Sequence, residues 1–154
     1  LLLGAARTDE LDALLDALLA GESARAIEAL DRLCAESVAP ATFLDQLLER
    51  VRLLLLIGTC GAEAGPVRRL GGADEHARSQ AAAAGAEKLL RISQILIGSQ
   101  QALRHGVDAR LQLELACVRI GQLGQVLDVD GLLRRIERME QRLAASGGPV
   151  GSPG

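Results

Sequence analysis

Residues 11–56 read LDALLDALLAGESARAIEALDRLCAESVAPATFLDQLLERVRLLLL, and their spacing sets the fold class. Leu11, Leu14, Leu15, Leu18 and Leu19 recur at i, i+3, i+4, i+7 and i+8, which places all five on one face of a helix. Thr8, followed by Asp9 and Glu10, has the chemistry of an N-cap, so the first helix is expected to open there and to end at Gly21. A second helix is predicted over 23–36, with Ala26, Ile27, Leu30, Leu33 and Cys34 inward, stopped by the stretch 37–40 and folded back on the first as a hairpin. Pro40 suits the first turn of a third helix, whose stripe of Phe43, Leu44, Leu47, Leu48, Val51, Leu54 and Leu55 runs to Gly58. Toward 53–57 this helix is apolar all round, which predicts burial from several sides, within the domain or against a neighbouring subunit.

Beyond Gly58 the glycines and Pro66 of 58–72 read as a flexible connector, and 74–84 as an alanine-rich helix. A long helix is predicted over 86–105, with Leu89, Ile92, Ile95, Leu96 and Leu103 inward and Gly106 as its breaker. Asp108 can cap the next helix, 109–121, whose Leu111, Leu113, Leu115, Ala116, Val118 and Ile120 form too wide an apolar set for one wet face. That width predicts a central position in the bundle. After Gly121 and Gly124 comes an amphipathic helix over 130–144, where Leu132, Ile136, Met139 and Leu143 follow at steps of four, three and four. Residues 147–154, rich in Gly, Pro and Ser, read as a linker. The expected organisation is an all-α bundle of five to seven helices over 1–122, a short amphipathic extension over 123–145 and a flexible tail over 146–154.

Composition agrees with helices around an aliphatic core. Of 154 residues, 49% are hydrophobic but only Phe43 is aromatic, and a core poor in aromatic and β-branched residues disfavours strands. A formal charge of -3 supplies no basic footprint for nucleic acid, and one phenylalanine in a helical stripe cannot stack successive bases. Direct nucleic-acid binding is therefore not expected. Three cysteines, Cys34, Cys60 and Cys117, are odd in number and form no C-x-x-C pair, which fits a reducing, cytoplasmic setting. The apolar run 53–57 is far too short to span a membrane, and no signal-peptide pattern opens the chain, which begins without Met and reads as a segment of something longer.

The chemistry of common active sites is missing. Lys88 is the only lysine and follows Glu87, so no G-x-x-x-x-G-K-[ST] phosphate loop exists. Ala73 and Ala102 stand three residues before His76 and His105, where a bundle di-metal site would place carboxylates, and no H-E-x-x-H occurs. Both histidines are expected at helix ends in solvated or capping roles. Cys34 and Cys117 read as small buried hydrophobes and Cys60 as an exposed thiol with nothing nearby to activate it. No catalytic, cofactor or metal residue is assigned.

Two blocks resemble a known family. Residues 11–56 are similar to a family run in which a helix ends in A-G-[DE], a second follows, and Pro-x-x-[FL]-L-x-x-L-L-E-x-x-R closes in leucines. Residues 87–120, EKLLRISQILIGSQQALRHGVDARLQLELACVRI, resemble E-x-L-L-R-x-x-Q-I-L, a short turn and R-L-x-L-E-L-A-x-x-R-[LI]. Together they resemble the third, collar domain of bacterial DNA polymerase III gamma/tau subunits, although Ala109 stands where the family usually has proline. The resemblance implies a non-catalytic oligomerisation domain that holds gamma/tau copies with delta and delta-prime subunits while the clamp is loaded in DNA replication. It also implies that the AAA+ domains with their ATP, Mg and Zn lie N-terminal to Leu1. Leu53, Leu56, Arg110, Glu114, Arg119 and Ile120, on the two widest apolar helices, are the expected subunit contacts. A helical adaptor dimerising through 132–143 is the competing reading, and an enzyme with a site between helices the third.

Overall fold

The computed structural model describes residues 2–36, 39–126 and 129–147. Among them the chain is all helix: α1 (Leu2–Leu19), α2 (Ser23–Ala35), α3 (Pro40–Cys60), α4 (Gly65–Arg69), α5 (Glu75–Ala84), α6 (Ala86–Arg104), α7 (Ala109–Val126) and α8 (Val129–Ser146). Two compact units divide it, Leu1–Leu123 and Gly124–Gly154. The expected tail lies outside the described residues from position 148 onward.

In the first unit α1 and α2 form the predicted hairpin. The turn is closed by a Schellman pair, with Glu22 N–H donating to Ala17 O at 2.9 Å and Gly21 N–H to Leu18 O at 3.1 Å. Gly21 sits at φ +74°, a conformation that costs an L-residue about 1–2 kcal/mol. Gly21→Ala is accordingly expected to lower the stability by about that amount, read from the midpoint of urea unfolding with an unchanged slope. On the far side of the hairpin Lys88 of α6 donates from Nζ to Leu19 O at 2.6 Å, which satisfies a carbonyl at the negative end of α1.

The central helix is α3. Pro40 opens it behind Ala39 in extended conformation, and it packs on α6 above all, then on α5, α4 and α1. Neighbours on several sides explain why its apolar set is so wide: Phe43, Leu44, Leu47, Val51, Leu53, Leu54 and Ile57 are all buried. Phe43 lies in the core as its spacing predicts, in one cluster with buried aliphatic side chains.

Four expectations are corrected. α1 begins at Leu2, so Thr8 stands inside a helix rather than at its cap. The connector after α3 contains α4, which Pro66 favours by fixing φ in its first turn, and the described helices therefore number eight rather than five to seven. α7 does not stop at Gly121 but runs to Val126. Nor is it central: Leu113, Ala116, Cys117 and Ile120 are buried, whereas Leu111 and Leu115 are 47% and 41% exposed, so α7 lies at the edge of the unit with one wet face.

The second unit contains α8, none of whose residues is buried. No helix among the described residues is long and apolar enough to cross a membrane.

Candidate subunit interface

A polar seam ties α1, α3 and α5 together. Asp12 and Asp16, one turn apart on α1, face Arg50 of α3 and His76 and Gln80 of α5. Arg50 Nε lies 2.9 Å from Asp12 Oδ1, and its Nη2 donates to Asp12 Oδ2 at 3.2 Å, both side chains being largely withdrawn from water. Arg50 Nη2 also stands 3.6 Å from Asp74, the N-cap of α5, which accepts from Ala77 N–H at 2.6 Å. Gln80 Nε2 donates to Asp16 Oδ1 at 2.7 Å, and His76 Nε2 is 3.1 Å from Asp16 Oδ2. Burial pushes the Asp12 carboxyl above its ordinary value, and the attraction of Arg50 only partly offsets it. The carboxylates are spent on interhelix pairing, and no cluster of His, Cys, Asp or Glu among the described residues is arranged to hold a metal. His76 and His105 occupy the expected helix ends, the latter as the C-cap residue of α6.

α7 runs alongside α2 and is fastened at both ends. At its start Arg110 donates from Nη2 to Asp31 Oδ1 of α2 at 2.5 Å and from Nε to Glu114 Oε1 at 3.0 Å. These hydrogen bonds, that of Glu114 first, push the Arg110 guanidinium above its usual value. Farther along, Gly121 meets the hairpin so closely that a Cβ there would collide with Ser23 Oγ and lie 3.1 Å from Ser23 Cβ. Between these ends Cys117 is buried, and desolvation pushes its thiol up to about 12, while burial also raises that of Cys34. Neither thiol is a nucleophile near neutral pH. Cys60 is exposed.

Short apolar stripes on α6 and α7 face water. On α6, Leu90 and Ile97 are 50% and 43% exposed, seven residues apart and off the buried Leu89, Ile92 and Leu96 face. On α7, Leu111 and Leu115 continue to Arg119 at steps of four. A shallow groove lined by Arg91, Gln94, Ile95, Gly98, Arg119 and Leu123 joins the two helices, and Gln94 and Arg119 belong to the same two stripes. The groove is thus open, with Ile95 and Leu123 lining it beside Arg91 and Arg119.

The six expected contact residues are not brought together as one patch. Ile120 is fully buried and Leu53 nearly so, so both side chains belong to the chain's own core, and Leu56 is only half-buried at the end of α3. Arg110 and Glu114 are at the surface but already paired within the chain. Arg119 alone lies in the groove beside the exposed stripes. The residues that sequence reasoning passed over are Leu90 and Ile97, and it turned Leu111 and Leu115 inward. The usable signal was phase: on each helix these residues fall outside the arc set by the others.

The family model for domain III of DNA polymerase III subunits gamma and tau matches residues 1–136. Curated relatives described as DNA polymerase III subunit gamma/tau, from Mycobacterium bovis and from two strains of Mycobacterium tuberculosis, are 32% identical over 148 residues, which is 94% of this chain and 25% of each relative. The chain therefore spans a quarter of the length of these relatives. No solved structure matches it. This all-helical chain, matched along most of its length by one family model, belongs to the domain III family of DNA polymerase III gamma and tau subunits.

Proposed function

We propose that this chain is the collar of a clamp-loader subunit, a packing domain through which copies of gamma/tau assemble with one another and with delta and delta-prime subunits. In that reading the ATP-hydrolysing modules of the parent hang from the collar and act on the sliding clamp in DNA replication, and this chain contributes adhesion rather than chemistry. The observation that carries it is the exposure of Leu90 and Ile97 on α6 and of Leu111 and Leu115 on α7, helices whose other faces already form the core. Exposed apolar stripes of this kind mark interaction surfaces.

Solution mass by light scattering tests the proposal, on the chain alone and mixed with the delta and delta-prime collar domains. A concentration-dependent assembly or a mixed complex is expected. Leu115→Arg, which places a charge in the middle of the stripe without touching the core, is expected to weaken that association at least tenfold, with an unchanged unfolding midpoint. A chain that stays monomeric with both partners, or an assembly indifferent to Leu115→Arg, would count against the collar reading at this surface.

A further inference from the structure

The second unit carries a surface that the collar reading does not use. On α8, Val129, Leu132, Leu133, Ile136, Met139 and Leu143 are all between 46% and 70% exposed. Val129, Leu132, Ile136, Met139 and Leu143 recur at three, four, three and four, so they fill successive a and d positions of a heptad with Val129, Ile136 and Leu143 at a. β-Branched residues at a with leucine at d favour a parallel two-stranded coil, and Val129 and Ile136 are β-branched while Leu132 sits at d.

The flanking charges settle the direction. In this register Arg135 and Arg142 take the g positions, and Leu133 and Glu140 the e positions. Two parallel helices bring each g residue against the e residue five places on in the partner, so Arg135 of either copy meets Glu140 of the other, twice over. An antiparallel pair instead sets g against g, which opposes arginines, and leaves Glu140 facing leucine. Only the parallel, in-register arrangement makes every charged contact at the seam attractive.

We infer that α8 is a pairing helix whose occupant is α8 of a second copy of this chain, parallel and in register, with reciprocal Arg135–Glu140 bridges flanking the Val129–Leu143 seam. With two and a half heptads the pairing is weak on its own, and it strengthens wherever copies are already held near one another, because the second contact is then intramolecular. Its geometry does not depend on the groove between α6 and α7.

The test is disulfide trapping in the whole chain, with Cys60→Ser removing the exposed native thiol and Met139→Cys placing one at a d position. Mild oxidation is expected to join two chains through position 139. Glu140→Arg or Arg135→Glu alone, each setting like charges together at the seam, is expected to weaken trapping about tenfold, and a mixture of the two single variants to restore it, because each then supplies the other's missing partner. Trapping that ignores both reversals would overturn the proposal. So would preferential joining of Leu132→Cys to Met139→Cys in a mixture, which marks an antiparallel pair, or α8 engaging a different helix so that no chain-to-chain bond forms. In a Leu115→Arg background trapping is expected to weaken, because the copies are less often held together, but to keep its sensitivity to both charge reversals, which separates failure of the α6–α7 surface from failure of the α8 seam.

Discussion

Replacing Arg50 by methionine is expected to destabilise the protein by about 3–5 kcal/mol at neutral pH, the range for removing one partner of a buried ion pair. Methionine keeps much of the aliphatic volume, so the loss is chiefly electrostatic. Arg50 Nε and Nη2 hold Asp12 at 2.9 and 3.2 Å between α1 and α3, and among the described residues no other cation pairs with Asp12. Burial already raises the Asp12 carboxyl, with Arg50 the largest opposing influence, so its removal raises the group further. The sign follows from linkage: a carboxyl whose folded value is raised binds its proton more tightly folded than unfolded, so its penalty is fully present above the folded value and disappears as pH falls below the unfolded one. The cost of Arg50→Met should therefore shrink between neutral pH and about pH 4, near the ordinary aspartate value. Urea unfolding of wild type and variant at both pH values measures this, and Asp12→Leu combined with Arg50→Met should recover most of the loss. A cost that stays constant with pH would assign Arg50 a packing role only.

Much of this architecture could be read from residues before any coordinates. The starts of α2 and α3 follow from a glycine turn and from Pro40 at a first turn, and α6 from the spacing of Leu89, Ile92, Ile95 and Leu96. Phe43 in the core and the hairpin of α1 with α2 follow from periodicity. Other features were hidden for particular reasons. α4 forms in a glycine-rich stretch because Pro66 supplies a fixed φ and Val67 an anchor that is completely buried, a tertiary gain that local propensity does not register. The outward turn of Leu111 and Leu115 escaped because leucine reads as inward by default, although a folded surface is largely apolar anyway. For the groove between α6 and α7 the separation is wider still: residues 91, 94, 95 and 98 meet 119 and 123 only through the packing of the two helices, which no local pattern encodes.

Gly121 shows the same limit most sharply, because in sequence it reads as a helix end and in the structure it is a seat. α7 continues five residues past it, and its lack of a side chain is what lets the helix approach the α1–α2 turn: an added Cβ would collide with Ser23 Oγ, stand 3.1 Å from Ser23 Cβ and 3.5 Å from Ser23 Cα, while Gly21 itself lies close to Gly121 O. Gly121→Leu is expected to cost about 3 kcal/mol or more, since a branched chain has no space between α7 and the hairpin and the helix must move outward. Gly121→Ala should cost less, because Ser23 Oγ can rotate away and alanine returns about 1 kcal/mol of helix propensity, leaving the 3.1 Å contact as the residual strain. Placing Gly121→Ala in a Ser23→Gly background should make it neutral or stabilising, and a double-mutant cycle on unfolding free energies reads that coupling directly. Moving α7 also displaces Leu111 and Leu115, so Gly121→Leu should weaken association in light scattering although it lies outside the exposed stripe. If Gly121→Leu proves no costlier than an exposed helical substitution, α7 is not seated on Ser23, and the groove it forms with α6 loses its fixed wall.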